Sequence, residues 1–362
     1  MPDLTPRLLE PYLSDLLNTR VRVTGLSRLG ETPREGAVKG YGYGIPVMVD
    51  YEADGKAGRA VLDTTSPGPF GHEHMADRAQ MALWDHGAYN RLPRHVRALD
   101  VGAFRAVGPP VSLAAVEELF LLVEHVSGEE YINDLTRLQG GGFLENRDIA
   151  RADALCDYLV SIHDVRGTDP GLYVRRLREL VGHGECIFGL SDSYPARHGF
   201  ITSGLLEEIE LACVRWRWRL KEKTHRLRQV HGDFHPYNIL FREGIDFSVL
   251  DRSRGEWGDP ADDVTSLTGN YLFASLQRHG RLAGSFDTLF RRFWERYIAR
   301  SGDAEILEVA APFFAFRCLV MASPVWYPTL AESVRRRLFD FMQALLSEPA
   351  FDPGQVNRYC GV

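Results

Sequence analysis

The stretch that most narrows the folds open to this 362-residue chain is HGDFHPYNILFREGIDFSVLD, residues 231–251, followed closely by GDPADD at 258–263. It crowds Asp233, two imidazoles (His231 and His235) and the amide of Asn238 together, then enters two short apolar segments separated by REGID. Apolar, turn, apolar at that length predicts a β-hairpin over 238–251. A hairpin brings its outer ends together, so Asn238 and Asp251 are expected to converge with Asp233 close by. Two oxygen-bearing side chains presented in this way suit a hard cation such as Mg2+, which keeps several waters and takes its other ligands from phosphates. A carboxylate just outside that shell can accept the proton of a hydroxyl attacking a phosphorus atom. A lone HxD is often a plain turn, because Asp and Asn bond to their own backbone. The order Asp, Asn, Asp at intervals of five and thirteen, with strand, turn and strand between the last two, points to chemistry instead.

The rest of the chain sets limits on that chemistry. A net charge of −7 argues against a non-specific nucleic-acid or anionic-membrane binder. The five cysteines are scattered, and no CxxC or Cys/His spacing joins them, which predicts neither a disulfide framework nor a zinc site. A reducing cytoplasm is the natural expectation. The first residues, MPDLTPRLLEPYLSDLL, read as an amphipathic helix rather than a signal peptide. The longest apolar region, VAAPFFAFRCLVMASPVW, is interrupted by Arg317 and two prolines, so it reads as a buried helix pair rather than a membrane span.

Between residues 20 and 65, VRVTGLSRLG, GIPVMVDYEA and GRAVLDTT alternate with Gly-rich or Asp-Gly punctuation and predict an antiparallel meander. HEHMADRAQMALWDHGAYNRL follows with helical spacing, which lets Met75, Ala79, Ala82 and Leu83 share an apolar side. ELFLLVEHVSG reads as a strand ending in a turn, and from about residue 129 the signal is mostly helical apart from the hairpin. The expected fold class is α+β, with a small antiparallel β-rich lobe over 1–126 and a larger, mainly helical lobe over 127–362. A two-lobed plan offers a cleft, where small ligands usually bind.

The segment His231-Gly232-Asp233-Phe234-His235-Pro236-Tyr237-Asn238, then Leu250-Asp251, then Gly258-Asp259-Pro260-Ala261-Asp262-Asp263, resembles the catalytic region of the aminoglycoside phosphotransferase and choline kinase-like family. That resemblance implies a protein kinase-like fold using ATP and Mg2+. It implies that Asp233 is the catalytic base, Asn238 and Asp251 the magnesium ligands, and Asp263 the carboxylate bracing the loop. His231 and His235 are expected to pack and hydrogen-bond within the loop rather than ligate a metal.

The resemblance also exposes a gap. Kinase-like folds place a lysine on the third strand to hold the nucleotide phosphates, paired with a glutamate on the next helix. Here that stretch reads Arg59-Ala60-Val61-Leu62-Asp63-Thr64, with Asp63 where the lysine is expected. Lys39 in AVKGYGYGIP is one replacement, on a loop whose Gly40, Gly42 and Gly44 let backbone approach phosphate. Arg59, which shares the parity of Asp63, is another, and Glu73 would orient either. The backbone of Glu124, His125 and Val126 is expected to bond the adenine edge, because linker groups are not consumed by a sheet ladder. Arg252 or Arg254, just after Asp251, would touch the transferring phosphate. The cation-rich runs GLYVRRLRELVGHGEC and CVRWRWRLKEK read as solvated faces of helices.

The function this predicts is transfer of the γ-phosphate of ATP to a hydroxyl of a small molecule, an aminoglycoside, sugar or amino alcohol. No nucleic acid or membrane partner is expected. Two alternatives stand beside it: a nucleotide-binding pseudokinase that works as a scaffold, suggested by Asp63, and a kinase-like enzyme that transfers a nucleotidyl group.

Overall fold

Thr5 starts the first helix, α1 (Pro6–Leu17): its side chain accepts from Leu8 N, and Pro6 brings the fixed φ that suits a first turn. Asn18 ends it in the left-handed conformation. The buried face carries Leu9 and Leu13, and each leucine taken out of water contributes about 1.5–3 kcal/mol. That face packs with β1 (Val21–Arg28), where Val21 and Val23 are buried. β1, β2 (Val47–Ala53) and β3 (Lys56–Leu62) form an antiparallel sheet in sequence order, the expected meander.

The computed structural model describes residues 4–28, 46–68, 72–91, 97–114, 125–251 and 256–362. The chain divides into two units, Met1–Val123 and Glu124–Val362. The first unit continues with α2 (Met75–Arg91) and a short pair, β4 (Gly102–Ala103) and β5 (Val111–Ser112). α2 lies where helical spacing predicts it, but the side expected to be apolar is not buried: Met75 is 77% and Leu83 37% exposed. The strand expected from ELFLLVE, residues 118–124, lies outside the described residues.

The second unit is mainly helical. β6 (Glu129–Glu130) leads into α3 (Ile132–Gln139), α4 (Asn146–His163), α5 (Pro170–Gly182) and α6 (Ile187–Ser193). β7 (Arg197–His198) and β8 (Ile201–Thr202) precede α7 (Ser203–Leu220), and β9 (Arg228–Gln229) opens the loop of interest. β10 (Ile239–Phe241) and β11 (Phe247–Val249) form the predicted hairpin, with β6 on the other side of β10. β12 (Trp257–Gly258) pairs with β9 and leads into α8 (Pro260–His279), α9 (Gly284–Ser301), α10 (Ile306–Ala322), α11 (Glu332–Ser347) and α12 (Val356–Tyr359).

The cation-rich helices α5 and α7 turn Tyr173, Leu177 and Leu180, and Cys213, Trp216 and Leu220, into the core. α8 is buried almost all round, and the core closes over it with α9, α10 and α11. The apolar run read as a helix pair is one helix. α10 continues through both Pro312 and Arg317 and ends at Ala322, just before Pro324. A run buried on every side has no polar stripe to reward a break, and Arg317 has buried partners. All five cysteines are buried and unbridged. Among the described residues, no helix is long and apolar enough to cross a membrane.

Candidate active site

The site is assembled by a short ladder. β9 and β12 pair Gln229 with Trp257 and Arg228 with Gly258, and Val230 N donates to Glu256 O at 3.0 Å. This fastens the chain entering the 231–238 loop to the chain entering α8. Asp259 caps α8 by accepting from Ala261 N at 2.9 Å. The same carboxylate takes a two-pronged bond from buried Arg226 at 2.8 and 2.9 Å and one from Tyr173 Oη at 2.9 Å. Burial, then the Asp259 charge and hydrogen bond, push the Tyr173 phenol far up, so it stays a donor.

With the start of α8 fixed, Asp263 reaches the loop from its first turn. Its oxygens accept from His231 N at 2.7 Å and Gly232 N at 2.8 Å. Two consecutive amides can face one carboxylate because Gly232 adopts φ +86°, a conformation that favours glycine. His163 on α4 adds Nε2 at 3.0 Å, while its Nδ1 meets Tyr297 Oη at 2.8 Å. Burial alone would raise the Asp263 pKa; the His163 hydrogen bond and charge and the His231 backbone bond hold it below the usual carboxylate value.

Asp233 follows at once, its side chain 12% exposed. The Arg317 guanidinium on α10 donates through Nη1 to Asp233 Oδ1 at 2.7 Å. Its Nη2 reaches Asp262 Oδ1 at 2.7 Å and the Gly232 carbonyl at 3.3 Å. Asp233 Oδ2 faces His235 Nε2 at 3.5 Å. His235 Nδ1 caps the turn Pro236–Asn238 by accepting from Tyr237 N at 3.3 Å, and His231 Nδ1 accepts from Asp233 N at 3.3 Å. Each imidazole therefore has one ring nitrogen tied to loop backbone.

Asn238 folds back so that Nδ2 donates to the Asp233 carbonyl at 3.1 Å. Its own carbonyl accepts from Leu250 N at 2.8 Å, one step beyond the Ile239–Val249 pair. The ladder thus sets Asn238 beside Leu250, next in sequence to Asp251. Asp251 is exposed and has φ +53°, unusual for a residue with a side chain and of the kind that gathers at functional sites. This donor set fits a hard cation. With Nδ2 of Asn238 committed to backbone, its Oδ1 is the atom left to ligate, and Asp251 supplies a carboxylate. Beside the loop, a cavity of about 60 Å³ opens between Gly232, Asp262, Trp257, Phe313 and Phe316, room for a few waters or one small functional group.

The structure brings together Asp233, His231, His235, Asn238 and Asp263, with Asp251 at the hairpin's outer end. Arg59 and Glu73 belong to the first unit. Arg59 pairs across the sheet with Asp50 at 2.8 Å, and Asp63 lies just beyond the end of β3. Glu73 precedes α2, where its carbonyl accepts from Arg78 at 3.1 Å. Val126 is half-buried and outside any strand. Lys39, Gly40, Gly42, Gly44, Glu124, Arg252 and Arg254 lie outside the described residues. Sequence reasoning gave no role to Arg317, Asp262, His163, Arg226 or Tyr173. The signal for Arg317 was present: a cation inside an apolar helix needs a buried partner.

The sequence matches the model of a family described as "Phosphotransferase enzyme family" over residues 53–300, more than half of the chain. Among curated proteins, none matches it. Solved structures that it resembles include an ethanolamine kinase of Plasmodium vivax, at 10% identity over 93% of this chain and 80% of that one, TM-score 0.36. Another is an aminoglycoside phosphotransferase of Streptomyces rimosus solved with ADP and streptomycin, at 16% identity over 65% and 79%, TM-score 0.33. A third is a choline kinase of Streptococcus pneumoniae, at 12% identity over 94% and 97%, TM-score 0.33.

Proposed function

The chain belongs to the phosphotransferase enzyme family, and from that premise we propose that it is an ATP- and Mg2+-dependent small-molecule kinase acting on a hydroxyl acceptor. The observation that carries this reading is the joint placement of Asp233, Asn238 and the hairpin end at Asp251 by one loop and one ladder. In the proposed reaction the acceptor oxygen attacks the γ-phosphorus of ATP. The new O–P bond forms as the bond from phosphorus to the β,γ-bridging oxygen breaks, and ADP leaves. Asp233 orients the acceptor hydroxyl and takes its proton, which passes to solvent after transfer. Asn238 Oδ1 and the Asp251 carboxylate would hold Mg2+, which when bound neutralises phosphate charge. Asp263 keeps the loop backbone fixed, so Asp233 meets the acceptor without reorganising.

The acceptor is a small molecule with a free hydroxyl: a sugar, an amino alcohol or an aminoglycoside. The test is a panel of such compounds with Mg·ATP, read as ADP release and product mass, with Asp233→Asn beside the wild type. The variant is expected to fold, bind nucleotide and lose about 10²–10⁴-fold in turnover. Retained turnover removes the assigned role.

A second reading, nucleotide binding without transfer, is favoured by Asp63 and by the engagement of Arg59 with Asp50. Thermal stabilisation by Mg·ATP with no ADP release and no product over the panel would select it. Transfer of AMP rather than phosphate would point to nucleotidyl chemistry.

A further inference from the structure

We propose that Arg317 is a positioning residue that aims the Asp233 carboxylate at the acceptor, an inference that rests on the phosphotransfer reading above. α10 is otherwise an apolar helix: apart from the exposed Glu308 near its start, Arg317 is its sole charged residue, and its side chain is 7% exposed. Taking a guanidinium out of water carries a large desolvation cost, and an ion pair in such a place is often no more stable than apolar side chains filling the same volume. Arg317 Nε also makes no hydrogen bond among the described residues. Fold stability is therefore a poor reason for this residue to be here. Its reach supplies a better one.

The guanidinium holds three points of the site: Asp233 Oδ1 through Nη1, and Asp262 Oδ1 and the Gly232 carbonyl through Nη2. A carboxylate on a single-bonded stem can rotate. Pinning Oδ1 at 2.7 Å fixes the plane of the group and hence the direction of Oδ2. Adjacent residues of α8 divide the task. Asp263 holds the loop backbone directly, at His231 N and Gly232 N. Asp262 holds the Asp233 side chain indirectly, through Arg317. The planar fork of arginine can serve both carboxylates at once, whereas a lysine ammonium is a point charge without that fixed fork. The Arg317 ring contact with Phe316, 4.6 Å from cation to centroid, further limits its swing.

The experiment compares wild type, Arg317→Lys, Arg317→Met and Asp262→Asn, each first checked for native circular dichroism and a cooperative melt. Turnover of Mg·ATP is measured with an acceptor from the panel, or with water as acceptor where the panel gives none. Arg317→Met is expected to lose about 10²-fold in kcat with KM for ATP within about twofold, as for an interaction made only in the transition state. Arg317→Lys and Asp262→Asn should fall between it and wild type. A crystal structure of Arg317→Met should show the Asp233 carboxylate rotated or spread over more than one rotamer. Wild-type kcat in folded Arg317→Met overturns the proposal, and so does an Asp233 carboxylate unmoved in its crystal structure. A wild-type chain that turns over no ATP overturns the phosphotransfer reading instead. The crystal structure still decides whether Arg317 positions Asp233.

Discussion

Two arginine–aspartate pairs in this protein have almost the same length and opposite surroundings. Arg59 meets Asp50 at 2.8 Å on the first unit's sheet, with side chains 78% and 35% exposed. Arg317 meets Asp233 at 2.7 Å in the second unit, with side chains 7% and 12% exposed. Distance does not separate them; solvent does. An exposed pair gains little, because water already solvates both ions and salt screens them. A buried pair cannot be broken cheaply from one side, since the remaining ion stays in a poor solvent. Burial by itself lowers the Arg317 pKa, yet Asp262 and Asp233 raise it above the usual guanidinium value, so the residue remains a cation.

The comparison can be broken most directly at the buried pair. Arg317→Met strands two carboxylates and is expected to lower the unfolding free energy by about 3–5 kcal/mol in urea; a loss below about 1 kcal/mol would erase the contrast. Next in size is Asp263→Asn. It weakens hydrogen bonds to a charged acceptor and should cost about 1.5–3 kcal/mol.

The same carboxylate makes a pH prediction. The folded pKa of Asp263 is lowered from 3.8, so the folded state binds this proton more weakly than the unfolded state does. Its stabilisation is fully present above that value and is lost as pH falls through the lower folded value. Acid unfolding of the wild type should therefore be steeper below about pH 4 than that of Asp263→Asn, and equal slopes would show that Asp263 plays no such part.

The smallest effect is expected at the exposed pair. Arg59→Ala should change stability by less than about 1 kcal/mol, and that difference should shrink further in about 1 M salt. The same variant sharpens the functional side. A large loss of ATP affinity without a loss of stability would identify Arg59 as the cation that replaces the third-strand lysine.

Legibility in the sequence followed the range of each interaction. Inside the 231–238 loop and the 238–251 hairpin, hydrogen bonds run between near neighbours, such as Asn238 Nδ2 to the Asp233 carbonyl, and their spacing announced them; the more distant brace at Asp263 was legible only through the family resemblance. The meander and α1 were legible for the same reason: turn residues, a cap and a regular apolar period lie within a few residues of one another. α2 was legible as a helix but not in its burial, because spacing names a face without naming what covers it. α10 was misread as two helices. Pro312 and Arg317 look like breaks until the surrounding apolar side chains and the buried partners of Arg317 are known.

The sequence by itself determined the identity and order of the acid, amide and acid, the hairpin between them, and the membership of the phosphotransferase family. Tertiary structure alone decided that Arg317, 84 residues beyond Asp233, would hold it, and that His163, 100 residues before Asp263, would complete the loop's brace. The physical reason is that short-range hydrogen bonds depend on the local path of the chain. The partner of a buried charge depends on which helices pack together, and that is set by the whole apolar core.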